Sequence, residues 1–443
     1  MWGGEPQGYF VDEDKLPFDP LPGAQAYWGV HTGAGYRIEV PANWNGSLVM
    51  WAHEFRGVNE LELTVDNPPL REWLVANGYA WAASSYRANN YDVTAGAKDT
   101  HALTKFFDGV AGKPKRVYIA GASMGGHVTA TMAEQWPTAY DGALPVCGAL
   151  GDYALYDYFL DFNLVAQALA GIEAQYPPGD EYLGVTVPLI KSKLELVPGT
   201  FPFTLNAQGQ GLAAATKYRS GGERPLFNQG FLFWNGVVPG DFLFGLGARG
   251  DILTRVRGVP VDNADTVYQF DADPVLTPAE ELLNDSVLRV ARDPQARHPN
   301  GLANVPPVNG NIKIPVLTLH TIGDLYMPIS MEQIYAQRVA ANGASDLLVQ
   351  RAIRDVDHCA FTDEEIVTAF VELVTWVETG VKPAGDNFLD PLAVADPAFG
   401  CAFTSSDRNY PLPLTIPPCS SVSAHTANLS AGADGVFLPT IVR

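Results

Sequence analysis

Short apolar runs alternate with helix-length segments along much of this chain, and that alternation constrains its fold more than any other feature. Ser47–Ala52, Ala80–Ser85, Arg116–Gly121 and Gly142–Val146 each read as a buried strand. Between them lie periodic stretches at 67–77, 95–110 and 124–135, the first opened by Asn67-Pro68-Pro69 and closed by Gly78. The rhythm returns with strands at Ile314–Leu319 and Leu347–Ile353 and helices at 330–341 and 362–378. Thr362 and Glu365 open the last helix in capping-box spacing. Parallel strands need crossovers, so the pattern predicts an α/β architecture: a mostly parallel sheet with helices on both faces.

Four segments follow from where the rhythm holds. Residues 1–35, rich in Pro, Gly and acidic residues at their start, read as an N-terminal arm, and Tyr36–Val40 alternates like a half-exposed strand. Residues 36–150 and 312–380 carry the sheet. Residues 151–311 interrupt it with aromatic clusters at 153–162 and 227–234 among many Gly and Pro, which predicts bends rather than long regular elements. An insertion there leaves and rejoins the sheet at the carboxyl ends of its strands, where open α/β sheets bind ligands, so it reads as a cap or lid. Residues 381–443 form a tail in which Cys401 and Cys419 flank a Pro/Ser/Thr-rich loop of the kind a disulfide pins.

The formal charge of −21 argues against a nucleic-acid-binding surface and disfavours anionic membranes. No stretch approaches the ~20 apolar residues of a transmembrane helix. Met1–Phe10 carries neither a basic nor an apolar leader region, so the chain is either cytoplasmic or begins at a mature start with Met1 added; the pinned tail favours a secreted or periplasmic protein.

Gly121-Ala122-Ser123-Met124-Gly125-Gly126 joins a strand to a helix with small residues two positions either side of a serine. That spacing lets strand and helix crowd together and lifts the hydroxyl out of a strained turn. A serine attacks only when a base takes its proton. Asp324 follows the 314–319 strand, and His358, within Asp355-Val356-Asp357-His358-Cys359, follows the next. Seven other histidines compete, at 31, 53, 101, 127, 298, 320 and 425. His127 is too close to Ser123 in sequence to swing back, and His320 reads as a core histidine. None has metal-ligand spacing, and no Gly-x-Gly-x-x-Gly follows the first strand, so neither a metal nor a dinucleotide cofactor is expected. Oxyanion donors are expected at the backbone N–H of Met124 and, from the loop His53-Glu54-Phe55-Arg56-Gly57, that of Phe55, with Glu54 second.

These segments resemble the α/β-hydrolase superfamily, particularly its secreted esterases, depolymerases and prolyl-oligopeptidase-like members. Gly121–Gly126 resembles the nucleophile elbow, Asp324–Pro328 the acid turn, His358 the histidine loop and His53–Gly57 the H-G-x-x-G oxyanion loop. The resemblance implies a Ser123/Asp324/His358 triad. It covers about 36–150 and 312–380; the cap, arm and tail match nothing in it. Glu54 stands where the family has glycine, which would reshape the loop or give a substrate contact. In feruloyl-esterase and tannase relatives the cysteine after the histidine bonds one directly before the serine, but Ala122 occupies that place. Cys147 is the remaining partner for Cys359; two free buried thiols are the other reading.

The chemistry expected is ester hydrolysis through an acyl-enzyme. The aromatic-rich insertion, with Tyr158, Phe231 and Trp234 as candidate substrate contacts, suggests a small or oligomeric ester of apolar or aromatic character, a polyester among them. The alternative is a serine peptidase or amidase on the same fold, with Glu54 anchoring an amine; a binding protein that has lost catalysis is disfavoured by the intact residue set.

Overall fold

The computed structural model describes residues 8–57, 60–196, 204–248, 259–297 and 304–406, with 408, 410, 414, 416, 417 and 419 of the tail. Its centre is one eight-stranded sheet in the order β1-β2-β4-β3-β5-β6-β7-β8. The strands are β1 (Ala24–His31), β2 (Ala34–Pro41), β3 (Ser47–Ala52), β4 (Ala80–Ser84), β5 (Arg116–Ala122), β6 (Gly142–Val146), β7 (Val316–Thr321) and β8 (Leu348–Ile353). From β4 to β8 every pairing is parallel; β2 pairs antiparallel with both β1 and β4.

Strands β3, β4, β6 and β7 are buried along their whole length, because helices cover both faces and leave no solvent side for polar alternation. One face carries α2 (Val93–Ala111), α3 (Met124–Gln135) and α10 (Ser330–Ala341), whose Phe107, Val128 and Tyr335 join a core with Ile119 and Met50. The other carries α1 (Arg71–Ala76) and α11 (Asp363–Thr379), where Leu74, Phe370 and Leu373 pack on Val49, Tyr118 and Leu144. Phe370, 1 % exposed, touches the rings of Trp73, Tyr79 and Tyr118 edge-on; truncating such a residue to Ala costs about 3–5 kcal/mol. The Thr362 capping box on α11 forms as the spacing requires, with Gly380 closing the helix at φ 75°.

Two sequence expectations are corrected. The arm does not run to residue 35: β1 pairs along its full length with β2, from Ala24↔Pro41 to His31↔Ala34, through a two-residue turn with positive φ at Thr32 and Gly33. The strand escapes a pattern search because it is an edge strand, with only partial burial on its inward side. The segment between β6 and β7 holds helices, one of them 17 residues long, where only bends were expected. It holds α4 (Tyr153–Leu169), α5 (Val187–Leu194), α6 (Ala207–Arg219), α7 (Phe227–Leu232), α8 (Phe242–Ala248) and α9 (Pro278–Ser286). Thirteen of the 17 residues of α4 are buried, Asp161, Asn163 and Gln167 among them, so no exposed polar face marks it as an amphipathic helix.

Both pairs of cysteines are bonded, Cys401 to Cys419 and Cys147 to Cys359. Ahead of the first bond lies α12 (Pro391–Ala395), and the chain beyond it meets the histidine loop. There Arg408 pairs with Asp355 and Glu365, and the Arg354 guanidinium donates to the carbonyls of Pro397, Phe399 and Pro417. Among the described residues no helix is long and apolar enough to cross a membrane.

Candidate active site

Ser123 occupies the turn between β5 and α3 with φ 56° and ψ −119°, a conformation that non-glycine residues avoid. The surroundings impose it. Its N–H donates to Val146 O, and its carbonyl accepts from the N–H groups of Gly126 and His127. A Cβ on Gly121 would lie 2.4 Å from Gly125 O, and one on Gly125 would lie 2.0 Å from Ala52 O. Helix and strands therefore cross at a distance only glycine permits. The crossing sets the N-terminal end of α3, the positive end of its dipole, at the serine.

Two loops, at the carboxyl ends of β7 and β8, bring the remaining groups in. Ser123 Oγ lies 2.8 Å from His358 Nε2, and His358 Nδ1 lies 2.6 Å from Asp324 Oδ2. Asp324 is fully buried, and its second oxygen accepts from the N–H groups of Tyr326 (2.7 Å) and Met327 (3.0 Å), so both oxygens are held. The competing carboxylates are engaged elsewhere. Asp355 accepts from the N–H groups of Val356 and Asp357 and pairs with Arg408, while Asp357 accepts from the N–H of His358.

The histidine loop is fastened to the sheet by the Cys147–Cys359 bond, which joins the residue after β6 to the residue after His358. Cys359 Sγ lies 3.3 Å from His358 Nε2. Cys147, His358 and Cys359 are grouped closely enough to suggest metal ligation, but the two sulfurs are bonded to each other and neither is a free thiolate.

The oxyanion-loop residues lie at the end of β3. His53 is buried, stacked on Tyr86 at 3.9 Å, with Nδ1 2.7 Å from Glu54 O and Nε2 3.1 Å from Ser85 O. Burial, helped by the Arg56 charge, pushes its pKa down to about 4. A neutral ring carries one N–H, so only one of the two carbonyls receives a hydrogen bond at a time. The Glu54 side chain is exposed and Phe55 is half-buried with its ring 6.3 Å from that of Tyr91. The other histidines divide plainly. His127 is buried between Tyr91 Oη and Pro306 O; His320 is buried between Glu332 and Met327 O. His31 stacks on Phe106 and His101 on Trp136. His298 and His425 lie outside the described residues.

The candidate substrate aromatics are all buried, Tyr158 and Phe231 at 2 % exposure and Trp234 at 4 %. Trp234 donates its indole N–H to Val356 O in the histidine loop. The aromatic residue beside the reacting groups is instead Tyr326, whose ring stands edge-on to His358 at 4.9 Å. Phe159, Trp234 and Phe242 from the β6–β7 segment enclose it. Burial, reinforced by the charges of Asp324 and Glu54, pushes its hydroxyl pKa up. The only sequence signal for Tyr326 was its place two residues after the acid.

The strand order, the sharp serine turn after β5, and a carboxylate and a histidine on the next loops in chain order define the α/β-hydrolase fold. No protein-family model matches the chain. It is similar to an o-phthalyl amidase of Xanthobacter agilis, 25% identical over 403 residues, spanning 80% of this chain and 87% of that protein. Among solved structures it is similar to a tannin acyl hydrolase from Aspergillus niger, at 13% identity and TM-score 0.45, covering 84% of this chain and 87% of the other. It is also similar to feruloyl esterase B from Aspergillus oryzae, at 15% identity and TM-score 0.39, with 80% of each chain covered.

Proposed function

We propose that the protein is a serine hydrolase that cleaves carboxylic esters through an acyl-enzyme on Ser123. The observation that carries this reading is the unbroken contact from Ser123 Oγ through both His358 nitrogens to the buried Asp324. His358 Nε2 takes the hydroxyl proton as Oγ bonds to the acyl carbon, then gives it to the departing alcohol as the ester bond breaks. Water repeats the sequence, and the free carboxylic acid leaves. Asp324 holds the Nδ1–H tautomer and steadies the imidazolium. The N–H groups of Met124 and Phe55 receive the developing oxyanion, with removal of one such donor worth about 10²–10³ in rate.

Amide cleavage is the second reading, favoured by the likeness to the o-phthalyl amidase. The same residues serve it, with His358 protonating a leaving amine. The segment from α4 to α9 acts as a cap on the His358 side of the site, a reading supported by the Trp234 and Phe159 contacts to the histidine and acid loops. Two disulfides support a place in an oxidising compartment. The deciding experiment compares p-nitrophenyl esters with aminoacyl and acyl anilides, using wild type and Ser123→Ala. Turnover reduced by on the order of 10⁴-fold or more in a folded variant is expected. Comparable turnover by Ser123→Ala would refute the acyl-enzyme.

A further inference from the structure

Two cavities meet where β3 ends, and neither is lined by the β6–β7 segment. The wider, about 660 Å³, is bounded by His53, Glu54, Phe55, Arg56, Asp66 and Pro69. The narrower, about 80 Å³, lies between the sheet and the helices α1 and α11. Its walls include Leu74, Ala120, Val146 and Ile366, and Glu54 is the charged residue at its rim. Trp51, Glu54 and Pro69 line both spaces, so the wide chamber and the slot lie side by side.

The slot passes beside the reacting residues, although Ser123 and His358 do not themselves line it. Ala122 and Cys359, chain neighbours of Ser123 and His358, form part of its wall. Cys359 Sγ lies 3.3 Å from the His358 nitrogen that is itself 2.8 Å from Ser123 Oγ. An acyl-enzyme imposes different needs on the two halves of a substrate: the alcohol must depart after the first step, whereas the acyl group stays until water releases it. A wide chamber suits the departing half and a narrow apolar slot the half that stays.

We propose, resting on the acyl-enzyme reading, that this slot on the α1/α11 face of the sheet binds the acyl chain, and that the chain is a short unbranched alkyl group. A cavity of ~150 Å³ holds one benzene ring, so 80 Å³ holds about three or four carbon atoms in a row and excludes an aromatic acid. The aromatic side chains of the β6–β7 segment then pack the protein around His358 rather than select the acyl group.

Binding of product acids to the Ser123→Ala protein tests this without turnover, by calorimetry with acetate and pentanoate. Each buried methylene is worth about fourfold, so pentanoate should bind on the order of 50-fold more tightly. Ile366→Phe, which fills the slot, should abolish that advantage; Ile366→Ala, which widens it, should extend the preference to longer acids and serves if the Phe variant misfolds. In the active enzyme, Ile366→Phe should lower the pentanoate-to-acetate ratio of kcat/KM at least tenfold. Equal binding of the two acids, or an advantage that survives Ile366→Phe, overturns the slot. Loss of the acyl-enzyme reading is distinguishable: turnover would then be absent or independent of Ser123, while the acid-binding difference and its response to Ile366 would persist.

Discussion

His358 Nδ1 lies 2.6 Å from Asp324 Oδ2, although Asp357 is the histidine's immediate neighbour in sequence and Asp355 is three residues away. The nearer carboxylates bond backbone N–H groups of the same loop, and one of them also holds Arg408 in place. The long-range contact across 34 residues therefore sets the tautomer, and the local ones set the loop.

Asp324→Asn should keep the fold and lower kcat by about 10⁴-fold, because an amide at that place favours the wrong tautomer. Asp355→Asn should act the other way round. It leaves the imidazole contact intact but weakens the buried pairing with Arg408, a loss of roughly 3–5 kcal/mol when one partner of such a pair is removed. Kinetics and thermal melts on both variants check the assignment; a catalytic collapse confined to Asp355→Asn would reverse it.

The Cys147–Cys359 bond closes a loop of 212 residues that contains the whole β6–β7 segment and the acid strand. Chain-entropy arguments put a bond of that span at roughly 5 kcal/mol of stability. Cys147→Ala/Cys359→Ala should therefore lower the thermal midpoint markedly, and should reduce kcat more than it raises KM, since Cys359 follows the histidine directly. Reduction of the wild type with dithiothreitol should reproduce both effects. A double variant with unchanged kcat and melting would show that the bond merely accompanies the loop.

Much of this was legible in the chain and some was not, for identifiable reasons. The Gly121–Gly126 turn, α3 and β6 could be read because local sterics decide them: Gly121 and Gly125 have no room for a Cβ, and the helix and strand on either side bury regular faces. Asp324 and His358 could be singled out because strand ends locate them, and their side chains are in contact. The helical state of α4 was hidden, since a helix buried on all sides presents Tyr153–Leu169 as an aromatic cluster without period. β1 was hidden by its place at the sheet edge. The partner of Cys359 was open because sequence spacing says nothing about a contact 212 residues away. Tyr158, Phe231 and Trp234 were singled out by composition, which does not separate a wall from a core.

Tyr326 stands between the histidine and the aromatic packing of the β6–β7 segment, with ring-centre distances of 4.9 Å to His358 and 5.0 Å to Phe242. Tyr326→Phe keeps the ring and should change kcat less than about threefold, whereas Tyr326→Ala removes the edge-on contact that limits imidazole motion. The Ala variant should lose roughly 10- to 100-fold in kcat, with a melting temperature lowered by the cavity left behind. If Phe is as damaging as Ala, the hydroxyl rather than the ring acts on the site.

The last expectation concerns pH and rests on His53. Burial holds its pKa near 4, against about 6.5 for an unfolded chain. A depressed value means the unfolded state binds the proton first, so the stabilisation is fully present above pH ~6.5 and is lost as pH falls through about 4. His101 has a pKa lowered to about 4 as well, by burial and then by the Lys105 charge, and burial lowers that of His127, while Asp157 and Asp386, raised to about 6 by burial, act in the opposite sense. The histidines therefore contribute a fall in melting temperature between pH ~6.5 and ~4. His53→Gln should remove only its own part of that slope, leaving the shares of His101 and His127. The variant should also lower activity at neutral pH, because the ring that stacks on Tyr86 and contacts Glu54 O fixes the start of the loop carrying Phe55. A slope identical in the two proteins would show that carboxylates elsewhere set the acid limit and that His53 contributes only its packing.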